Sequence, residues 1–237
     1  MVIEEPRPKK LVPFVTYGLI LANAIIFIIT LALTSPDGGF SIGNLPGWWF
    51  VPAEMFQGQH LYTLVTAAFL HGNWIHLLSN MYFLFVFGDD AEDIMGHTTY
   101  IVFYLFCAII ASVFFALITA VSASLIGDPN LVNGPALGAS GAIFGVMAGY
   151  AIFLPNRTLM IPGYGRMTAK VYIVFYAIME IIYTVVGTQD ATAHAAHVGG
   201  FIAGVFFAYV FKRMFQEKIR IAKTDFLPAG RKRKLSP

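Results

Sequence analysis

Charge is what this sequence has least of. Only 12% of its 237 residues are Asp, Glu, Lys or Arg, while 57% are hydrophobic; a soluble domain carries about 25% charged residues. That scarcity excludes a disordered chain, a nucleic-acid binder with a broad basic face and an ordinary soluble enzyme. A single cysteine, Cys107, excludes an intrachain disulfide framework and a CxxC-type zinc site. No HExxH motif, fixed-period repeat or low-complexity tract occurs, and no β-barrel alternation is visible. Net charge is +2, too small to name a partner.

In place of charge the chain has long apolar runs. A membrane helix needs about 20 mostly apolar residues. Six segments qualify: 11–33, 73–88, 98–120, 139–155, 168–187 and 193–213. The first is 23 residues without a charge, too long for a signal-peptide core, so it is read as a retained span. The expected fold class is an all-α membrane protein, a bundle of six transmembrane helices occupying 11–213. Flanking it are a cytoplasmic tail over 1–10 and a basic cytoplasmic tail over 214–237 that ends in Arg231-Lys232-Arg233-Lys234, read as solvated, with contact to anionic lipid as the alternative.

The positive charges orient the bundle. Three of the fifteen Lys and Arg lie before the first span, three near the fourth-to-fifth connection (Arg157, Arg166, Lys170) and nine from Lys212 onward. None falls in 34–70, 121–138 or 188–192. Positive residues accumulate on the cytoplasmic side. Six spans with both termini inside put all fifteen there; five or seven would not. The second, fourth and sixth spans then run from outside to inside, and their first turns share one depth.

Each of those first turns is polar, and polar side chains inside a bilayer are functional candidates by default. The second span carries His76 and Asn80, four apart on one helix face. The fourth opens Gly138-Ala139-Ser140-Gly141, and the sixth opens His194-Ala195-Ala196-His197. Small residues at four-residue spacing let membrane helices approach closely. The fourth span has Gly141, Gly145 and Gly149; the sixth has Gly200, Gly204 and Ala208. Packing the two stripes together sets Ser140 beside His197. A serine hydroxyl is a weak nucleophile that needs an adjacent base, and an imidazole serves. Acyl hydrolysis also needs donors for the developing oxyanion. His76, Asn80 and the free Ser140 N–H at a helix start are candidates. No Asp or Glu occupies the first turns of these spans, so a Ser–His dyad without an acid is expected.

These residues resemble the rhomboid family of intramembrane serine proteases. Gly138-Ala-Ser140-Gly is similar to its nucleophile motif, and Ala196-His197-x-x-Gly200-x-x-x-Gly204 to its sixth-span motif. His76-x-x-x-Asn80 resembles its oxyanion pair, and Phe69-Leu70-His71 and Gly88-Asp-Asp-Ala-Glu92 also fit. The resemblance implies a serine endopeptidase that cleaves transmembrane proteins near their outer end, with small residues at the cut and helix-weakening residues beyond it. It implies no metal and no organic cofactor; transmembrane substrates and the lipid bilayer are the partners, and nucleic acid is not. Many members carry a Trp-x-Arg or Trp-Arg pair in the first loop, where this chain has Leu61 and Thr63. Trp48, Trp49 and Phe50 in that loop suit a segment lying at the membrane interface. A prokaryotic plasma membrane is the expected location.

The remaining polar residues receive plainer readings. His71 is expected to brace the first loop and Glu92 to anchor the loop after the second span. Glu180, the acid inside the fifth span, is either protonated or bonded to a neighbouring helix in a structural role. His194 has no assigned role, Asp190 is a weak candidate for orienting a histidine, and Cys107 fills space. The leading alternative function is an inactive rhomboid-like protein that binds membrane clients. A metal-dependent enzyme built on His60, His71, His76, His194 and His197 is disfavoured because no carboxylate accompanies the histidines. A transporter is disfavoured because no internal repeat is present. The soluble nucleophile elbow does not describe Ser140, since residue 142 is Ala.

Overall fold

The computed structural model describes residues 3–4, 11–34, 47–161, 165–187 and 193–214. Within them, six long helices match the six apolar segments: α1 (Phe14–Thr34), α4 (Trp74–Met95), α5 (His97–Ile126), α6 (Ser140–Phe153), α7 (Ala169–Val186) and α8 (His194–Met214). Two short helices, α2 (Pro52–Phe56) and α3 (Thr63–Thr66), lie between α1 and α4. By length and composition, α1, α5, α7 and α8 can each cross a membrane. α6, with 14 residues, covers only about 21 Å at 1.5 Å per residue. Large apolar side chains stay exposed along the helices, among them Ile25, Leu78, Phe175 and Phe206. Helices apolar on every side are what a lipid-embedded bundle requires.

The core is built around α6. All but two of its 14 residues are buried, and α4, α5, α7 and α8 pack against it. Aromatic rings close the bundle's other end: Phe87 meets Tyr150 edge-on at 5.0 Å, and Phe153 meets Phe211 at 5.8 Å.

Three expectations change here. α4 runs to Met95 rather than ending at residue 88, because its charged last turns are buried and partnered. Glu92, fully buried, accepts from the Val15 N–H at 2.9 Å, the Thr16 N–H at 2.8 Å and the Thr16 hydroxyl at 2.7 Å. It therefore caps the N-terminus of α1, where the helix dipole favours an anion, and, as expected of an anchor for the loop after the second span, it also bonds His97 Nδ1 at 2.5 Å across the Gly96 turn. Asp90 faces the buried Arg157 guanidinium at 3.6 Å. Second, the first ten residues are not wholly a tail. β1 (Ile3–Glu4), β2 (Thr158–Ile161) and β3 (Gly165–Thr168) form an antiparallel sheet in that order, with Ile3 opposite Met160. Leu159 and Ile161 alternate inward from β2, an apolar pattern too short to stand out beside the long runs. Third, Phe50 points into the protein and not outward. It is 1% exposed, packs on Phe115 and bridges Ala136 in the chain leading to α6, while Trp48 remains exposed.

Candidate active site

The two glycine stripes meet. A Cβ on Gly200 would collide with the Gly141 carbonyl, and one on Gly204 with the Gly145 carbonyl. The same glycines also meet α5: a Cβ on Gly141 would come within 2.6 Å of the Ala111 Cβ, and one on Gly145 would strike the Cys107 sulfur. α5 and α8 together thus clamp α6, α8 at backbone distance. Cys107, fully buried, fills the space behind Gly145 as expected.

That clamp sets the register of the polar groups. Ser140 is the first residue of α6, and His197 lies in the first turn of α8. His197 Nε2 stands 2.8 Å from Ser140 Oγ, within hydrogen-bond range. Phe144, one turn below Ser140, stacks on the His197 ring at 4.4 Å and 9°.

The chain before Ser140 is shaped for access. Gly138 has φ +115°, a conformation that favours glycine, and its N–H donates to the Ala67 carbonyl at 2.9 Å. A Cβ there would come within 2.6 Å of His76 Nε2. Only glycine lets that imidazole approach. Asn73 caps α4 by accepting from the His76 N–H at 2.8 Å. The Gly72 N–H donates loosely to His76 Nδ1 at 3.4 Å, which leaves the ring proton on Nε2, facing Gly138. One turn on, Asn80 is 5% exposed, and its Nδ2 has no hydrogen-bond partner among the described residues. A buried amide donor without an acceptor is costly, so its persistence marks a place where an acceptor arrives. Beside Ser140 lies a cavity of about 30 Å³ lined by Ala67, Ala108, Ser112 and Ala196, among others. That is room for about two waters.

The expected pair without an acid is corrected. Glu180 Oε2 lies 2.9 Å from His197 Nδ1 and 2.6 Å from His194 Nδ1. The acid comes from α7, which runs opposite to α4, α6 and α8, so its last turns face their first. His194 is buried against Glu180 and does not face water, and a carboxylate does accompany two of the histidines. Glu180, His194 and His197 offer three ligand atoms within 4.8 Å of one another. Ligands around a tetrahedral zinc at about 2.0–2.1 Å are roughly 3.3 Å apart. The spacings of 2.6 and 2.9 Å on one carboxylate oxygen are those of N–H···O bonds instead.

His71, in the turn before α4, is fully buried, with its ring edge-on to His76 at 5.0 Å. Burial, assisted by the neighbouring His76 imidazole, pushes its pKa down to about 3. The first loop has its own ties in place of the Trp–Arg pair. His60, at φ +47°, bonds Glu54 at 2.9 Å; Tyr62 donates to the Gly47 carbonyl at 2.9 Å; buried Thr63 donates to the His60 carbonyl at 2.7 Å. Asp190 and residues 215–237 lie outside the described residues.

Several known proteins are similar to this chain. RHOMBOID-like protein 12, mitochondrial, of Arabidopsis thaliana is 28% identical over 85% of this chain and 60% of its own length. Rhomboid-like protein 11, chloroplastic, of the same plant is 33% identical over 54% of this chain and 41% of its own. Rhomboid protease AarA of Providencia stuartii is 26% identical over 87% of this chain and 75% of its own. This chain therefore spans about half the length of the plant relatives. Their organelle names weaken the expectation of a prokaryotic plasma membrane. The family model for the rhomboid domain matches residues 58–214, most of the chain and every residue of the site just described, and the chain belongs to the rhomboid family.

Proposed function

We propose that this chain is a serine endopeptidase that cleaves transmembrane proteins within the bilayer, with Ser140 as nucleophile and His197 as general base. The observation that carries the reading is the 2.8 Å bond between His197 Nε2 and Ser140 Oγ, held by two glycine-lined helices. In the first step the Ser140 proton passes to Nε2 as Oγ attacks the scissile carbonyl. His76 Nε2–H, Asn80 Nδ2 and the Ser140 N–H are the donors to the resulting oxyanion. The imidazolium then returns its proton to the leaving amide nitrogen, and water hydrolyses the acyl-serine by the same exchange.

The bilayer topology belongs to this reading. Six crossings with both termini cytoplasmic put every Lys and Arg on one side, which supports an outward-facing site reached by water. Membrane proteins with a transmembrane segment are the substrates, and the bacterial relative named as a protease supports an active enzyme over a client-binding scaffold. The test is reaction with a serine-directed fluorophosphonate in reconstituted vesicles. A label located on Ser140 and lost in His197→Ala is expected. Ser140→Ala should fold normally and cleave no reporter; cleavage at the normal rate by that variant overturns the assignment.

A further inference from the structure

We propose that Glu180 is a positioning residue for His197, its carboxylate holding the imidazole with Nδ1 protonated and Nε2 free for the Ser140 proton. The inference rests on the protease reading above and deepens it.

An ionised carboxylate only accepts hydrogen bonds. With Glu180 Oε2 2.9 Å from His197 Nδ1, that nitrogen carries the proton, and Nε2 presents its lone pair to Ser140. The tautomer a general base needs is therefore set from the far side of the ring. Phe144 fixes the ring plane by stacking. His194 donates from its own Nδ1 to the same oxygen at 2.6 Å, so the carboxylate is gripped by two imidazoles of the first turn of α8. Glu180 is only 4% exposed, and a buried carboxylate with two N–H donors stays ionised and keeps one geometry. When Ser140 gives up its proton, Nε2 gains it and Nδ1 keeps its own. The imidazolium forms against a fixed negative charge, and Glu180 itself gains no proton at any step. The charge remains available until Nε2 passes its proton to the leaving nitrogen.

The test compares wild type, Glu180→Gln and Glu180→Asp in vesicles of one lipid composition. It measures kcat and KM on a single-pass reporter helix, the labelling rate of Ser140 by a fluorophosphonate, and the thermal midpoint. Glu180→Gln keeps the shape, but its amide can donate to Nδ1 and select the wrong tautomer. Its kcat and labelling rate should fall by about 10²–10⁴-fold, with KM within about twofold and the midpoint retained. Glu180→Asp restores the charge on a shorter arm and should recover at least about tenfold of the loss. If Glu180→Gln does not fold, Glu180→Asp carries the test through a lower kcat at unchanged KM. Wild-type kcat in either folded variant overturns the proposal, as does a loss that tracks the thermal midpoint and moves kcat and KM together. Failure of wild type to label at Ser140 brings down the protease reading instead, whereas equal labelling of wild type and Glu180→Gln overturns only the role of Glu180.

Discussion

Replacing Gly200 with alanine adds one methyl group where α8 crosses α6. That methyl would overlap the Gly141 carbonyl, well inside van der Waals contact. Backbone does not yield as a flexible side chain does, so the helices must part by about 1 Å or more to restore contact at about 3.5 Å. Gly141 follows Ser140 directly, and Gly200 lies one turn below His197. The displacement therefore falls on the 2.8 Å bond between Ser140 and His197, stretching it to about 4 Å, beyond hydrogen-bond range. A 1 Å misplacement of reacting groups costs about 10²-fold in rate, or about 2.7 kcal/mol of barrier. Overpacking itself costs about 1–3 kcal/mol of stability. Gly200→Ala should thus lose about 100-fold in the labelling rate of Ser140 and in reporter cleavage, with a lowered thermal midpoint. Gly18→Ala is the control: a Cβ at that position in α1 meets nothing within 4 Å, so both readouts should stay at wild-type values. A Gly200→Ala protein that labels and melts like wild type would refute the claim that backbone contact sets the site.

Three further outcomes follow from the same geometry. Asn80→Ala should lower kcat by about 10²–10³-fold, the range for losing one oxyanion donor, without lowering the thermal midpoint, since Nδ2 has no bond to lose among the described residues; a protein that fails to fold would make Asn80 a structural residue. Glu92→Ala removes the cap from α1 and strands two N–H groups, at a cost of about 2–4 kcal/mol, so the midpoint should fall by about 10 °C while cleavage per folded molecule is preserved; a midpoint within about 2 °C of wild type would contradict the capping role. His71 is held neutral when folded, with a pKa near 3 against an ordinary 6.5. The unfolded chain then binds the extra proton, so this residue's stabilisation is complete above about pH 6.5 and is lost as pH falls from there toward 3. His71→Asn should flatten the dependence of the midpoint on pH between 7 and 4, and an unchanged slope would show that His71 is not its source.

The long helices were legible because hydropathy over 20 residues is a strong signal, and the α6–α8 contact was legible because glycines every four residues have few other uses in a membrane. What failed to show was where charge is buried. Hydropathy ends the second span at Gly88, since Asp89, Asp90, Glu92 and Asp93 follow. The helix continues because three of these acids have a role among their neighbours: Glu92 at the start of α1, Asp90 opposite Arg157, Asp93 accepting from the Leu11 N–H at 2.8 Å. Pairings across 77 and 82 residues leave no trace in local composition. The small sheet escaped notice for a related reason, because a two-residue strand such as β1 is defined by its partner and not by itself.

The candidate site divides along the same line. Ser140, His197, His76 and Asn80 all lie near the starts of helices that run in one direction, so a depth argument from sequence collects them. Glu180 lies six residues before the end of α7, which runs the other way. Six residues of helix rise about 9 Å, and His197 is about 4.5 Å past the start of α8. The two groups meet at 2.9 Å although one is counted from an end and the other from a beginning. A search confined to first turns could not reach it. The signal was nonetheless present: one charged residue in an 18-residue helix after its opening turn. Such a residue must face protein, and α8 offers imidazoles in its first turn. The general lesson for a bundle of alternating direction is to count depth from both ends of every span before concluding that a base lacks its acid.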